Sequence, residues 1–171
     1  SKRWQIGGAL CRDCAWISVV AASLQQLASY LDALRREIRL VARHLPPDVR
    51  VRRIAFGGGS PNAIAPVDFV RLFDELLLRF PLAAPVVSIE LDPRSLAEEW
   101  EPVVRGIGAT HASMGVQTFA PHLQAAIGRE QPAQMIARST AILRQAGITS
   151  LNFDLMYGLP GQSDADLAET L

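Results

Sequence analysis

From Ser23 onward, Leu24, Leu27, Leu31, Leu34, Ile38, Val41 and Leu45 recur at spacings of three and four, which places them on one face of a long helix stopped by Pro46-Pro47. Arg35, Arg36, Glu37 and Arg39 fall mostly on the other face, where solvation is the simplest fate for a charge. The period then shortens. Val51-Arg52-Arg53-Ile54-Ala55-Phe56 reads as a strand running into Gly57-Gly58-Gly59-Ser60-Pro61, where glycines let backbone come close to a ligand. A second amphipathic helix follows, with Pro66 near its first turn and Phe69, Leu72, Phe73, Leu76 and Leu77 facing inward. Val86 to Leu91 is a further strand, closed by Asp92-Pro93, and Ser95 to about Arg105 is helical, with Pro102 expected to break it in two. His111 to Val116 gives a strand ending at Gln117, and Gln131 to Ala146 a helix capped by Gly147. Ser150 to Met156 is the next strand, and Ser163 with Asp166 marks the capped start of a helix. Arg3 to Ile6 is a short candidate first strand.

Strand followed by helix, repeated about five times, predicts an α/β fold with parallel strands and crossover helices, either an open doubly wound sheet or part of a barrel. Both architectures put their chemistry at the carboxyl ends of the strands. The glycine triplet, Glu90, Gln117 and Asp154 lie at or near such ends and are expected to converge on one rim. Glu90 stands out as an acid in a strand that otherwise reads as buried, with a solvent-facing side chain as the plain alternative. The sequence has no internal repeats and no low-complexity linkers, so a single domain over residues 1–171 is expected. Its last residues fall inside a predicted helix, which predicts a fragment, or a domain lacking its last strand.

Apolar residues make up 49% and charged residues 20% of the chain, and seventeen basic residues balance seventeen acidic ones without a long block of either sign. That composition suits a soluble globular protein and offers no electrostatic footprint for nucleic acid or an anionic membrane. Ile17 to Leu24 is far too short for a membrane span, and Lys2-Arg3 lacks a following secretory core, so a cytoplasmic location is expected. The only two cysteines, Cys11 and Cys14, form a C-x-x-C pair that fits a redox dithiol, half of a zinc site, part of an iron-sulfur ligand set, or two thiols with no shared task. A thioredoxin-like dithiol disagrees with the repeated strand-helix pattern. Zinc would need two more ligands, and His44, His111 and His122 are scattered over separate elements, with His111 inside a strand where packing is its expected role.

Five segments narrow the choice: Gly57-Gly58-Gly59-Ser60-Pro61, Ser88-Ile89-Glu90-Leu91-Asp92-Pro93-Arg94, Ser113-Met114-Gly115-Val116-Gln117-Thr118-Phe119, Gly128-Arg129-Glu130-Gln131, and Asn152-Phe153-Asp154-Leu155-Met156-Tyr157-Gly158-Leu159-Pro160-Gly161. In this order the chain resembles the radical S-adenosylmethionine (SAM) enzymes of the oxygen-independent coproporphyrinogen III oxidase type. Asp92-Pro93, Met114 and Arg129-Glu130-Gln131 favour the oxidases over the related haem chaperones. The resemblance implies a partial (β/α)6 three-quarter TIM-like barrel, here without its last unit and carboxyl-terminal domain. It also implies a 4Fe-4S cluster held by C-x-x-x-C-x-x-C, with SAM on the open iron and an electron donor to the cluster. In that family SAM is cleaved to methionine and a 5'-deoxyadenosyl radical, and two propionates of coproporphyrinogen III lose carbon dioxide to become vinyl groups. The cofactor carries the hard chemistry while the protein orients it.

Carried over by position, Cys11 and Cys14 match the second and third cluster cysteines, and the first falls on Gly7, which has no side chain to bind iron. Flanking family positions fall on Ser1, Arg3, Asp13 and Trp16. The resemblance places Gly58, Gly59 and Ser60 in the backbone cradle for SAM, makes Glu90 a ribose-type acceptor, and gives Gln117, Arg129 and Asp154 polar contacts to SAM in a family that binds two copies of it. A surface charge for Arg129 and a strand-end cap for Asp154 are their alternatives.

Overall fold

The computed structural model describes residues 9–11, 14–18 and 24–171, with side chains from Gln26 onward. The candidate strand at Arg3 to Ile6 lies outside the described residues. In chain order the elements are β1 (Ala9–Cys11), β2 (Cys14–Ser18), α1 (Leu24–His44), β3 (Val51–Phe56), α2 (Pro66–Arg79), β4 (Leu82–Leu91), α3 (Trp100–Gly106), β5 (Ala109–Gln117), α4 (Pro121–Ala126), α5 (Ala133–Gln145), β6 (Ser150–Leu155) and α6 (Asp164–Thr170). They fall into two compact units.

The first unit holds β1, β2, α1 and nearly all of α2. β1 and β2 pair antiparallel with Cys11 opposite Cys14. On α1 the predicted stripe is buried only at Leu31 and Ile38, while Val41 and Leu45 are exposed, so the apolar period runs further than the covered part of the helix. On α2 Phe69, Leu72 and Phe73 are buried as expected, but Leu77 stands at the edge of the stripe and is exposed. A buried carboxylate, Glu75, occupies the inward position of that last part of the helix. It accepts hydrogen bonds from Arg39 Nε and Nη2 and from Arg79 Nε, each at 2.9 Å. Arg39 is therefore not a merely solvated charge: it ties α1 to α2.

The second unit holds most of a four-stranded sheet in the order β3-β4-β5-β6, with β4/β5 and β5/β6 parallel. Spatial order follows chain order with no reversal, as in a barrel wall and unlike a doubly wound sheet. One face is apolar. Val87, Ile89 and Leu91 from β4 and Ala112, Met114 and Val116 from β5 are buried, as are Trp100, Val103 and Val104 of α3 and Ile136, Ile142 and Leu143 of α5. α3 packs on both α5 and β5. Each of the Val, Ile, Leu and Met side chains taken fully from water contributes about 1.5–3 kcal/mol.

The helix expected from Ser95 starts only at Trp100, after consecutive turns. Pro102 then lies in its first turn, where a missing N–H has no intrahelical partner to lose, so it breaks nothing. Gly147 closes α5 at φ +100°, a conformation that favours glycine. Ser163 and Asp166 form the expected reciprocal cap on α6. The short α4 was not anticipated; it begins at Pro121 and buries Leu123 against Ala120 and Leu159. His111 is exposed rather than packed, its Nδ1 2.8 Å from Thr110 Oγ1.

Candidate functional site

Alternation along a strand sends successive side chains to opposite faces. Opposite the apolar face, β4 presents Ser88 and Glu90, β5 presents His111, Ser113, Gly115 and Gln117, and β6 presents Asn152 and Asp154. The register sets Glu90 beside Ser113, Ser113 beside Asn152, and Gly115 beside Asp154. Parallel strands buried on both faces read as continuous apolar runs. This sheet instead keeps a polar inner wall, and Glu90, Asn152 and Asp154 on it are exposed.

The glycine loop leaves β3 directly beside this wall. An ideal Cβ at Gly57 would stand 2.7 Å from Glu90 Cδ and within 2.9 Å of both carboxylate oxygens, so glycine is the residue that lets Glu90 lie against the loop. The Gly58 N–H donates to Glu90 Oε2 at 3.3 Å, and Gly58 takes φ +107°. Cβ positions at Gly58 and Gly59 face open space. Ser60 follows, and its carbonyl accepts from Ala63 N at 2.9 Å to start a single 3-10 turn over Pro61–Ala63.

Gln117 and Arg129 meet over Gly115. A Cβ there would lie 2.7 Å from Gln117 Nε2 and 3.2 Å from Arg129 Nη2. Gln117 sits at φ +70°, where the β5/β6 register shifts, and its carbonyl still accepts from Met156 N at 2.8 Å. A non-glycine residue held in the left-handed region at a bulge is a strained position of the kind found at ligand sites.

Arg129 is held by a buried network. Its N–H donates to the Gln124 carbonyl at 2.8 Å. The Gln124 side chain donates to the carbonyls of Thr118 and Gln131 and accepts from Gln131 N. Gln131 in turn donates to the Val116 carbonyl at the end of β5. The Arg129 side chain is 29% exposed and Nη2 lies 3.7 Å from Asp92 Oδ2, while its Nε is buried without a hydrogen-bond partner. Burial pushes this guanidinium below its ordinary range, Asp92 pulls it back up, and Arg94 adds to the fall. Burial likewise pushes the Asp92 carboxyl up, but hydrogen bonds from Arg94 and the charges of Arg94 and Arg129 outweigh it and hold the group below the ordinary carboxylate value. Asp154 accepts from Asn152 Nδ2 at 2.8 Å.

The structure thus brings Glu90 to the glycine loop and Gln117 to Arg129, with Asp154 opposite Gly115. Reading the sequence missed Asn62, Gln124 and Gln131 as site supports. Polar residues in loops and short helices are ordinary, and only their burial, 5% exposure or less, marks them.

The radical SAM superfamily profile matches residues 29–171. The chain belongs to the radical SAM superfamily. Within it, the chain is similar to oxygen-independent coproporphyrinogen III oxidases: 37% identical over 166 residues to that of Bradyrhizobium diazoefficiens, covering 94% of this chain and 37% of the relative. It is 36% identical to that of Cereibacter sphaeroides, covering 95% of this chain and 36% of the relative. Among solved structures, coproporphyrinogen III oxidase of Escherichia coli, a radical SAM enzyme, superposes with a TM-score of 0.81 at 34% identity, over 87% of this chain and 34% of that one. The chain therefore spans about a third of the length of the relatives it matches, and the α/β partial barrel read from the sequence is its fold.

Family membership implies SAM and a 4Fe-4S cluster. The polar wall suits SAM: an acceptor at Glu90 beside backbone free of side chains, and a half-buried cation with an orphaned Nε for a carboxylate. The cluster is different. The C-x-x-x-C-x-x-C motif supplies three thiolates, and this sequence contains two cysteines with glycine at the remaining position. Among the described residues no group of three or more His, Cys, Asp or Glu side chains could hold a metal ion. The donor set of this chain falls one thiolate short of that motif, and the superfamily match begins after the cysteine pair. No helix among the described residues is long and apolar enough to cross a membrane.

Proposed function

We propose that the polar wall binds SAM and that the protein serves oxygen-independent decarboxylation of coproporphyrinogen III propionates to vinyl groups, a step of haem biosynthesis. The reading places it in the cytoplasm, with a tetrapyrrole substrate and an electron donor. One observation carries it. Glu90 against the glycine loop, and Gln117 with Arg129 over Gly115, form paired cradles on one sheet face of a chain 37% identical to such an oxidase. Glu90 would accept from ribose hydroxyls, Gly58, Gly59 and Ser60 would offer backbone to the ligand, and Arg129 and Gln117 would donate to its carboxylate, with Asp154 as a further acceptor. Cys11 and Cys14 would supply two of the thiolates that a cluster needs.

A second reading has a specific observation behind it, the glycine at position 7. A relative that binds SAM or a tetrapyrrole, such as a haem chaperone, needs no third thiolate. Anaerobic iron and sulfide reconstitution of the protein and its Gly7→Cys variant separates the two. Iron at about four per chain, methionine and 5'-deoxyadenosine formed only with reductant, and loss of coproporphyrinogen support the oxidase. SAM binding without retained iron in the unaltered protein supports the second reading, and recovery of iron in Gly7→Cys would identify that one ligand as the whole difference.

A further inference from the structure

The glycine loop is fastened to β4 at two points. One is Glu90, whose carboxylate receives the Gly58 N–H. The other is Asn62, only 5% exposed, whose side-chain amide pairs in both directions with one residue of the strand end: Oδ1 accepts from Asp92 N at 3.0 Å and Nδ2 donates to Asp92 O at 2.8 Å. Nδ2 also lies 3.0 Å from Ser95 Oγ. The amide thus imitates a neighbouring peptide, extending the β3-β4 connection past the end of β3 by a side chain. Gly57 to Pro61 is left as a short span with both feet on the same strand. The residue that Asn62 grips also holds Arg94 by its carboxylate and faces Arg129 at 3.7 Å. The loop and the cation of the second cradle are therefore both referenced to Asp92.

We propose that Asn62 is the positioning residue of this site, holding the glycine loop against the Asp92 peptide so that the loop and Glu90 stand at a fixed separation before SAM arrives. The inference rests on the SAM reading for its ligand but not for its mechanics. A loop already fixed before binding spares the ligand the entropy of ordering it. Asn62 touches no ligand atom in this account, so its effect must pass through the loop.

The test has two readouts on Asn62→Ala in the otherwise unchanged protein. Hydrogen exchange at Gly57 to Ser60 without ligand is expected to quicken about tenfold while exchange at Ala112 to Val116 in β5 is unchanged. SAM affinity by equilibrium dialysis is expected to fall about tenfold. Asn62→Asp keeps the acceptor for Asp92 N–H and loses the donor, and should give the same direction of change if the alanine variant does not fold. Ser95→Ala leaves both bonds to Asp92 in place and should stay near the unaltered protein. Loop exchange and SAM affinity unchanged in the Asn62 variants would overturn the proposal, as would a Ser95→Ala effect equal to theirs. If the unaltered protein binds no SAM yet the Asn62 variants free the loop, the positioning role stands and the SAM reading fails.

Discussion

Gly57 lies against the Glu90 carboxylate so closely that a methyl group in place of its hydrogen would stand 2.7 Å from the carboxyl carbon. Contact at that distance forces the flexible end of Glu90 to move, and with it the acceptor for Gly58 N–H. Gly57→Ala is therefore expected to cost SAM affinity about tenfold while stability moves by less than about 1 kcal/mol, because Gly57 does not use a left-handed conformation and alanine restricts the unfolded chain. Equilibrium dialysis and urea denaturation check the two halves. Unchanged affinity would mean that Glu90 does not serve the ligand.

Gln117 supports a separate expectation through its backbone. Its φ of +70° disfavours any side chain, and the strain is maintained by the bulge between β5 and β6. Gln117→Gly should leave stability unchanged or raise it by up to about 1 kcal/mol, yet weaken SAM binding because Nε2 over Gly115 is gone. A large loss of stability would show that the Gln117 side chain packs rather than waits for a ligand.

The clamp of Glu75 by Arg39 and Arg79 makes a prediction about pH. Hydrogen bonds from Arg39 and then Arg79 hold the Glu75 carboxyl at about 2, below its ordinary 4.5. A depressed folded-state value means that the contribution is complete above the ordinary value and is lost as pH falls through about 2. Glu75→Gln should therefore be less stable than the unaltered protein at neutral pH, with the gap closing as the solution is acidified across that window. Urea midpoints measured at several pH values give the gap directly, and a gap of constant size would remove Glu75 from the pH response.

How much of this could be read from the chain depends on what each residue does locally. Helix α1, the Ser163 cap and the strand at Val51 to Phe56 follow from period and caps, and all three appear where expected. Glu90, Gln117 and Asp154 were legible because strand ends collect polar residues in parallel folds. What stayed hidden depended on distant partners. Asn62 looks like any loop residue, and Gln131 like the first residue of a helix, until Asp92 and Val116 are brought beside them. Pro102 misled because its effect depends on whether it falls in the first turn or the interior of the helix, and α3 began later than periodicity suggested. Arg39 and Glu75, thirty-six positions apart, share no local pattern at all.

Arg129 gives the sharpest contrast between stability and binding. Its Nε is buried without a partner, Arg94 opposes its charge, and Asp92 answers it only at 3.7 Å. A cation so placed contributes little to the fold, since desolvation offsets most of what one distant carboxylate returns. Arg129→Met keeps the length and apolar stem while removing the charge. Stability is expected to hold or rise by about 1 kcal/mol, and SAM affinity to drop more than tenfold, because the carboxylate end of the ligand loses the Arg129 cation over Gly115. 5'-Methylthioadenosine, which has the nucleoside and sulfur but no carboxylate, should bind the variant and the unaltered protein alike. Equal loss for both ligands would assign Arg129 to holding the wall rather than to reading the carboxylate.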